Sequence, residues 1–498
     1  MRRAWPFVAL VLAGACSSDP IVTKTECVPG ESIACGGSTC SKVCGSDGKY
    51  GACTCVDASV PVDSGVDAPP DVVDAEAEAE AEAEAAVDAG PIRWGHAFAP
   101  PDGTSFGVAV DKNQNVIVCG KGSGLGASLT KLSPGGAVLW QKTLNSYTYR
   151  VAVDSVGAVY VTGQSPGNVD FGGGVVAASG TFLAKYDASG AYQWLVGPFA
   201  GWGYEVRVRA NGNVILVGTL QGSGFDFGGG TLTPSVYGDA LLVELTASKA
   251  FVRAKLYPSV TGVSIFFAAA LDASDNLFVS GTFDGASITF GGAPIPLPNG
   301  STTTDLFVVK FDPTFTLLKQ ADGHSNGDSL SSLSVDPQGK LYVGGNLGSS
   351  IQFGTTPLTP AGNGTSVWLA LLDANLNEVW AKRFGGASGQ QLYGVAADPA
   401  GGVVITGWTG GNLYFGIPGM PSEEAGYIAR FDGTGKVATN RGLVVPNSSA
   451  TGFGVAYHSG TDFIVTGTCG GGNLGLPSGP LPCTFSNGGN GFAARMTP

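Results

Sequence analysis

The sequence predicts an all-β protein whose body is a seven-bladed β-propeller with four antiparallel strands in each blade. Three observations carry that prediction: the composition, a strand pattern that recurs seven times, and a strand that stands before the first repeat and is missing after the last. Glycine supplies 79 of 498 residues and charged residues only 13%. Val, Thr, Phe, Tyr and Trp recur in short runs bounded by Gly, Asn and Asp, the composition of short strands joined by tight turns.

In chain order, residues 1–15 read as a signal peptide: Arg2 and Arg3 precede an apolar run, Ala4 to Leu12, too short to span a bilayer. Ala13-Gly14-Ala15 fits cleavage after a small residue. Leu12-Ala13-Gly14-Ala15-Cys16 also resembles a bacterial lipobox, with Ala13 where that pattern usually has Leu. The resemblance implies a lipid on Cys16, and Ser17 rather than Asp after it implies sorting to the outer membrane. Residues 16–26 then form a lipid-anchored segment.

Residues 27–55 hold Cys27, Cys35, Cys40, Cys44, Cys53 and Cys55. In a cytosolic chain such spacing would raise zinc; in an exported chain thiols pair, so a small module with three disulfides is expected, its connectivity open. Cys469 and Cys483 flank one later loop and are expected to form a further disulfide. Cys119 ends the apolar run Val116-Ile117-Val118 and reads as a buried, inert thiol.

Residues 56–90 carry six Asp and five Glu with no Lys or Arg, no aromatic residue and too little apolar surface to fold, so they read as a disordered, charge-stiffened spacer. They account for eleven of the thirteen net negative charges, leaving the propeller region almost neutral. That balance excludes nucleic acid as a partner, because phosphate binding needs a basic face.

Residues 91–498 carry the repeat. A strand running into a turn, usually at Asp, recurs at Asp111, Asp154, Arg209-Ala210, Asp272, Asp336, Asp398 and His458. Its partner strand closes at Gly120, Gly163, Gly218, Gly281, Gly345, Gly407 and Gly467, spaced 43, 55, 63, 64, 62 and 60 residues apart. A third strand follows each. A fourth is marked by Trp140, Trp194, Phe251, Trp380 and Val437. The last unit lacks a fourth strand, whereas Pro91 to Phe98 has that pattern ahead of the first unit, so the N-terminal strand is expected to close the ring and leave no exposed edge.

The stretch Gly385-Gly386-Ala387-Ser388-Gly389 through Gly407, and residues 151–163, VAVDSVGAVYVTG, are similar to the SBBP-type β-propeller repeat of Gram-negative surface lipoproteins. The resemblance spans about 400 residues. It implies the fold and an exported location and says little of activity. Arg209-Ala210 and Tyr457-His458 depart from it in turns and are expected to threaten nothing structural.

No catalytic constellation emerges. The turn aspartates, above all in Asp111-Lys112-Asn113-Gln114-Asn115, have the oxygen alternation of a cation loop, but an Asp that caps its own hairpin explains every copy. The loop Asp322 to Asp328 reads as solvated, no G-x-S-x-G elbow occurs, and three histidines, His96, His324 and His458, offer little material for a triad or metal site. No metal or cofactor is therefore expected. Trp94, Trp140, Trp194 and Trp380 read as packing between blades.

The functional expectation is a cell-surface or periplasmic-face binding module for a protein or glycan, held to the membrane only by its lipid. The alternative is a calcium-dependent propeller hydrolase or lactonase, with a quinone-dependent dehydrogenase a remote third. Turn lengths indicate the binding face. The first-to-second and third-to-fourth connections are tight hairpins, whereas the long second-to-third connections share the other face with the fourth-to-first ones. Binding residues concentrate on variable loops, and Tyr147, Tyr149, Trp202 and Trp408 are the candidates there.

Overall fold

The computed structural model describes residues 92–98, 103–121, 127–297, 304–325, 329–360, 364–385, 388–411, 413–418, 420, 422–443, 449–475, 480–483 and 490–496, with strand backbone at 32–34, 40–43 and 54–55. The chain divides into two units, Met1–Ala81 and Glu82–Pro498. In the first, Ser32–Ala34, Cys40–Val43 and Thr54–Cys55 form an antiparallel sheet in which Cys40 stands opposite Cys55. Cys16, Cys27, Cys35, Cys44, Cys53 and the spacer lie outside the described residues, as do the side chains of Cys40 and Cys55.

The second unit is the propeller. Blade 1 pairs Thr104–Val110, Val116–Lys121, Ala127–Leu132 and Val138–Leu144 in chain order from the axis outward. Blade 2 is Tyr147–Val153, Val159–Ser165, Gly180–Tyr186 and Tyr192–Phe199; blade 3 is Gly201–Val208, Val214–Leu220, Asp239–Leu245 and Phe251–Tyr257. Blade 4 is Ser264–Leu271, Leu277–Phe283, Asp305–Phe311 and Leu317–Asp322; blade 5 is Ser329–Val335, Leu341–Leu347, Ser366–Leu372 and Glu378–Phe384. Blade 6 is Gln390–Ala397, Val403–Thr409, Ala425–Phe431 and Val437–Leu443. Blade 7 takes Ala450–Tyr457, Phe463–Cys469 and Asn490–Met496 from the C-terminal end and Ile92–Ala97 as its outer strand. The first strands of successive blades pack side by side around the axis, and blade 7 meets blade 1.

The core is seven apolar wedges, one at each junction between neighbouring blades. Among the described residues, six contain twelve to seventeen buried residues and the wedge between blades 7 and 1 contains six, Phe98, Val116, Val118, Leu132, Ile464 and Ala493. The difference has a local cause. After the second strand of blades 2, 3, 4 and 7 the chain folds into a small hairpin, such as Val169–Asp170 with Val175–Val176, and blade 5 keeps a single bridge, Ile351 to Leu358. These excursions sink Phe171, Phe227, Phe290 and, in blade 6, Phe415 into the wedges. The excursions that sequence reads as variable loops are thus pinned by a recurring Phe-Gly pair. In blade 7 the Cys469–Cys483 disulfide closes the hairpin. Blade 1 has five residues between its second and third strands and no room for one.

Polar links cross the same junctions. The indole N–H groups of Trp94, Trp140, Trp194 and Trp380 donate to carbonyls of Pro134, Ala188, Ala247 and Gly433 in the next blade's outer turn, at 2.9 to 3.1 Å. Cys119 is fully buried, and burial pushes its thiol up to about 12.

Inside blades 1, 4 and 6 the turn acid is paired with a base on the third strand: Asp111 with Lys131, Asp272 with Lys310, Asp398 with Arg430. Blade 3 reverses the polarity. Arg209 stands where the others have Asp, and Glu244 stands where they have Lys or Arg, 3.2 Å away with both side chains 2% exposed. The departure at Arg209 is therefore structural after all, a charge exchange with its partner 35 positions along the chain.

Candidate functional site

Each first strand carries one β-bulge at its third or fourth residue, which leaves Phe106, Tyr149, Tyr204, Phe267, Ser331, Tyr393 and Phe453 without a cross-strand partner. A bulge inserts an extra residue and re-aims a side chain. The glycine closing each second strand explains why it forms there. A Cβ on Gly120 would overlap the carbonyl of Thr104, and one on Gly163 that of Tyr147, so only glycine admits the close approach; the other five sites repeat it.

The seven bulged residues are half-buried, and six are aromatic. With Trp202 they form a collar around the axis. Ring centroids run Tyr393–Phe453 4.9 Å, Phe453–Phe106 5.3 Å, Phe106–Tyr149 6.2 Å, Tyr149–Trp202 6.5 Å, Trp202–Tyr204 6.0 Å and Tyr204–Phe267 5.0 Å. Ser331 leaves the collar open on one side. Because the bulges lie near the start of each first strand, the collar sits toward the face that carries the second-to-third and fourth-to-first connections.

The collar encloses a cavity of about 340 Å³, within the range of small-ligand sites, roughly 300–1,000 Å³. Below it, a cavity of about 390 Å³ is lined by all seven first strands and shares Phe106, Arg150, Tyr393 and Phe453 with the upper one. Burial raises the phenols of Tyr149, Tyr393 and Tyr204, the last to about 12, so all three stay protonated near neutral pH; the Tyr393 hydroxyl donates to Gln391 Oε1 and keeps its lone pairs as acceptors, while those of Tyr149 and Tyr204 can donate.

The charged residues lining the lower cavity are Arg150, Glu205 and Arg207. Glu205 is buried. Its Oε2 lies 3.2 Å from Arg207 and 3.8 Å from Arg150, whose side chains remain about a third exposed. Arg207 Nε also donates to the carbonyl of Ala269 at 2.7 Å, and Arg150 to that of Tyr149 at 3.0 Å. Two guanidiniums around one carboxylate leave one net positive charge at this cavity. The repeat makes these residues conspicuous: at the equivalents of Arg150 and Arg207 the other blades have only Gly, Ala or Ser, apart from Glu205 itself.

Of the four aromatic candidates named from sequence, Tyr149 and Trp202 line the collar. Tyr147 and Trp408 do not. The Tyr147 ring lies under Lys121 at 4.8 Å, and Trp408 Nε1 donates to Glu424 Oε1 at 3.0 Å. Sequence reading missed Phe106, Tyr204, Phe267, Tyr393 and Phe453, as well as Arg150, Glu205 and Arg207. A signal existed for the rings: in six of seven repeats an aromatic stands five places before the turn residue.

The turn aspartates lie at the other end of the first strands. Asp111 Oδ1 accepts N–H bonds from Asn113 and Asn115 at 2.9 and 2.8 Å, and Asp154, Asp272, Asp336 and Asp398 likewise cap their own turns. Among the described residues no group of three His, Cys, Asp or Glu is placed to hold a metal ion. His324 lies 3.2 Å from Asp322, and residues 326–328 of that loop lie outside the described residues.

No family model and no curated protein matches the chain. Solved structures similar to it include BamB from Moraxella catarrhalis, 10% identical, covering 82% of this chain and 96% of that one with a TM-score of 0.38. YCF48 from Cyanidioschyzon merolae is 11% identical over 81% of this chain and 98% of its own, TM-score 0.41. A polysaccharide lyase of family PL25, an ulvan lyase, is 11% identical over 75% of this chain and 93% of its own, TM-score 0.45.

Proposed function

We propose that the chain is an exported lipoprotein, anchored through Cys16, whose propeller is a binding module that takes a slender ligand end-on in the mouth of its central channel. The observation that carries this reading is the collar: seven bulges at one repeat position, six of them presenting aromatic rings to a common cavity. A bulge interrupts strand pairing, and here the interruption aims a ring at shared space in blade after blade. The fold holds these side chains on paired strands, which suits a site that must keep its shape.

Two measurements test it. Cys16→Ser should abolish fatty-acid labelling and release the protein from membranes; unchanged labelling would refute the anchor. For the module, the full chain is screened on a carbohydrate and peptide array, then Tyr149→Ala and Trp202→Ala are compared with Ser155→Arg and Ser189→Arg in the short turns of the other face. Binding that survives both collar variants and is lost in the short-turn variants would place the site on the wrong face.

A further inference from the structure

We infer that the collar and the Arg150–Glu205–Arg207 cluster form one site for the end of an acidic saccharide, a chain terminus bearing a carboxylate or a sulfate. The inference rests on the channel-mouth reading and adds the ligand's chemistry. Aromatic faces pack against the C–H faces of sugar rings, and the phenols of Tyr149, Tyr204 and Tyr393, with the Ser331 hydroxyl, supply hydrogen-bonding partners to a ligand rich in hydroxyls. A peptide would find less: each first strand is bonded only to its second strand, and the bulge at its third or fourth residue breaks the even row of N–H and C=O groups that an added peptide strand would need along the inner edge.

The acidic group follows from the floor. Glu205 neutralises one of two guanidiniums, and its Oε1 is taken by the N–H of Val206 at 3.0 Å, so one positive charge is left facing the cavity. Arginine holds planar oxyanions by paired N–H donors, and a partly desolvated guanidinium binds them more strongly than one in bulk water. Arg150 lines both cavities, which places its charge where a ligand passing the collar would arrive. These charges appear only in blades 2 and 3, at positions that the other blades fill with Gly, Ala or Ser, so packing of the repeat does not require them.

The experiment titrates the full chain, followed by Trp fluorescence and calorimetry, with four probes: an oligogalacturonate, a sulfated galacto-oligosaccharide, neutral maltotriose and an oligoglutamate peptide. At least one acidic saccharide is expected to bind, and the stronger of the two identifies the anion. Arg150→Gln should weaken it by about tenfold or more, Arg150→Lys should restore part of the loss, and Trp202→Ala should weaken it as well. Maltotriose binding equally well and unaffected by Arg150→Gln would overturn the acidic-saccharide inference while leaving the channel-mouth reading intact. Binding of the peptide alone would overturn the saccharide class. Acidic-saccharide binding that is indifferent to Trp202→Ala, Tyr204→Ala and Arg150→Gln alike, with all variants folded, would overturn both readings.

Discussion

Replacing Arg209 by alanine should cost this ring more than any exposed charge would. The guanidinium pairs with Glu244 at 3.2 Å, donates to the carbonyls of Asp275 and Pro313 in blade 4 at 2.5 and 3.1 Å, and lies over the Phe315 ring at 5.8 Å. Breaking a buried ion pair from one side costs about 3–5 kcal/mol, because the remaining charge stays desolvated. Arg253, 3.3 Å from the other Glu244 oxygen, and the amide of Asn213 at 2.8 Å keep that carboxylate partly served, so about 3 kcal/mol is expected rather than the upper end. Arg209→Asp should be worse, since it sets two carboxylates together. Arg209→Asp combined with Glu244→Lys restores the polarity found in blades 1, 4 and 6 and should recover part of the loss as a favourable coupling in a double-mutant cycle. Urea unfolding of the full chain at fixed pH, followed by fluorescence, supplies the four free energies. A cost below 1 kcal/mol for Arg209→Ala, or a double variant no better than Arg209→Asp alone, would refute the charge-exchange account.

Three further outcomes are expected. Asp305 is fully buried, and burial with the neighbouring Asp322 carboxylate raises its pKa to about 7 despite N–H bonds from Ser325 and Leu306. The folded state therefore holds a proton that the unfolded chain gives up near pH 4, and this contribution is full below that point and falls as pH rises toward 7. Asp305→Asn should lose that slope between about pH 4 and 7; parallel pH profiles for the two proteins would contradict the assignment. Gly163→Ala drives a Cβ into the Tyr147 carbonyl and should destabilise blade 2 by about 2 kcal/mol or more, read by denaturant unfolding, and an unaffected protein would show that the bulge does not depend on glycine. Cys469→Ser with Cys483→Ser opens a loop spanning 14 positions and should lower stability by roughly 3 kcal/mol, again by unfolding, whereas no change would show that the hairpin is held by packing alone.

The sequence made the ring legible because its signals are local. The seven second-strand glycines, the turn aspartates and the strand-like Ile92 to Ala97 all act within a few residues of themselves, and the structure puts each in the element expected of it. What stayed hidden depends on distance in the chain. Arg209 looks like a harmless lapse until Glu244 is beside it. The Phe-Gly pairs of the excursions look like loop filler until Phe171 and Phe290 are seen inside the wedges between blades. The collar was the nearest miss, because Phe106 and its equivalents keep a fixed offset from the turn. A period-two strand pattern assigns such residues to one side of the sheet or the other, however, and a bulge breaks that alternation at the position that matters. Arg150 and Arg207 were visible as letters, but their meaning came only from comparison with the small residues at the same level in other blades.

The slender wedge between blades 7 and 1 has a mechanical consequence. A pull on the chain ahead of Ile92 would reach the ring through the outer strand of blade 7, the strand that clasps it, beside the junction with the least buried apolar material among the described residues. That junction is latched instead by directional bonds: Trp94 and Arg495 to the Pro134 carbonyl at 2.9 and 3.1 Å, His458 to Gln114 at 2.9 Å, and Thr468 to Gly103 at 3.0 Å. Apolar packing yields gradually as surfaces slide, whereas hydrogen bonds give way over a fraction of an ångström, so such a latch is stiff and brittle. Under load the circle should therefore fail by unclasping at this one junction, with the other six still shut, and should be able to snap closed again once the tension is released.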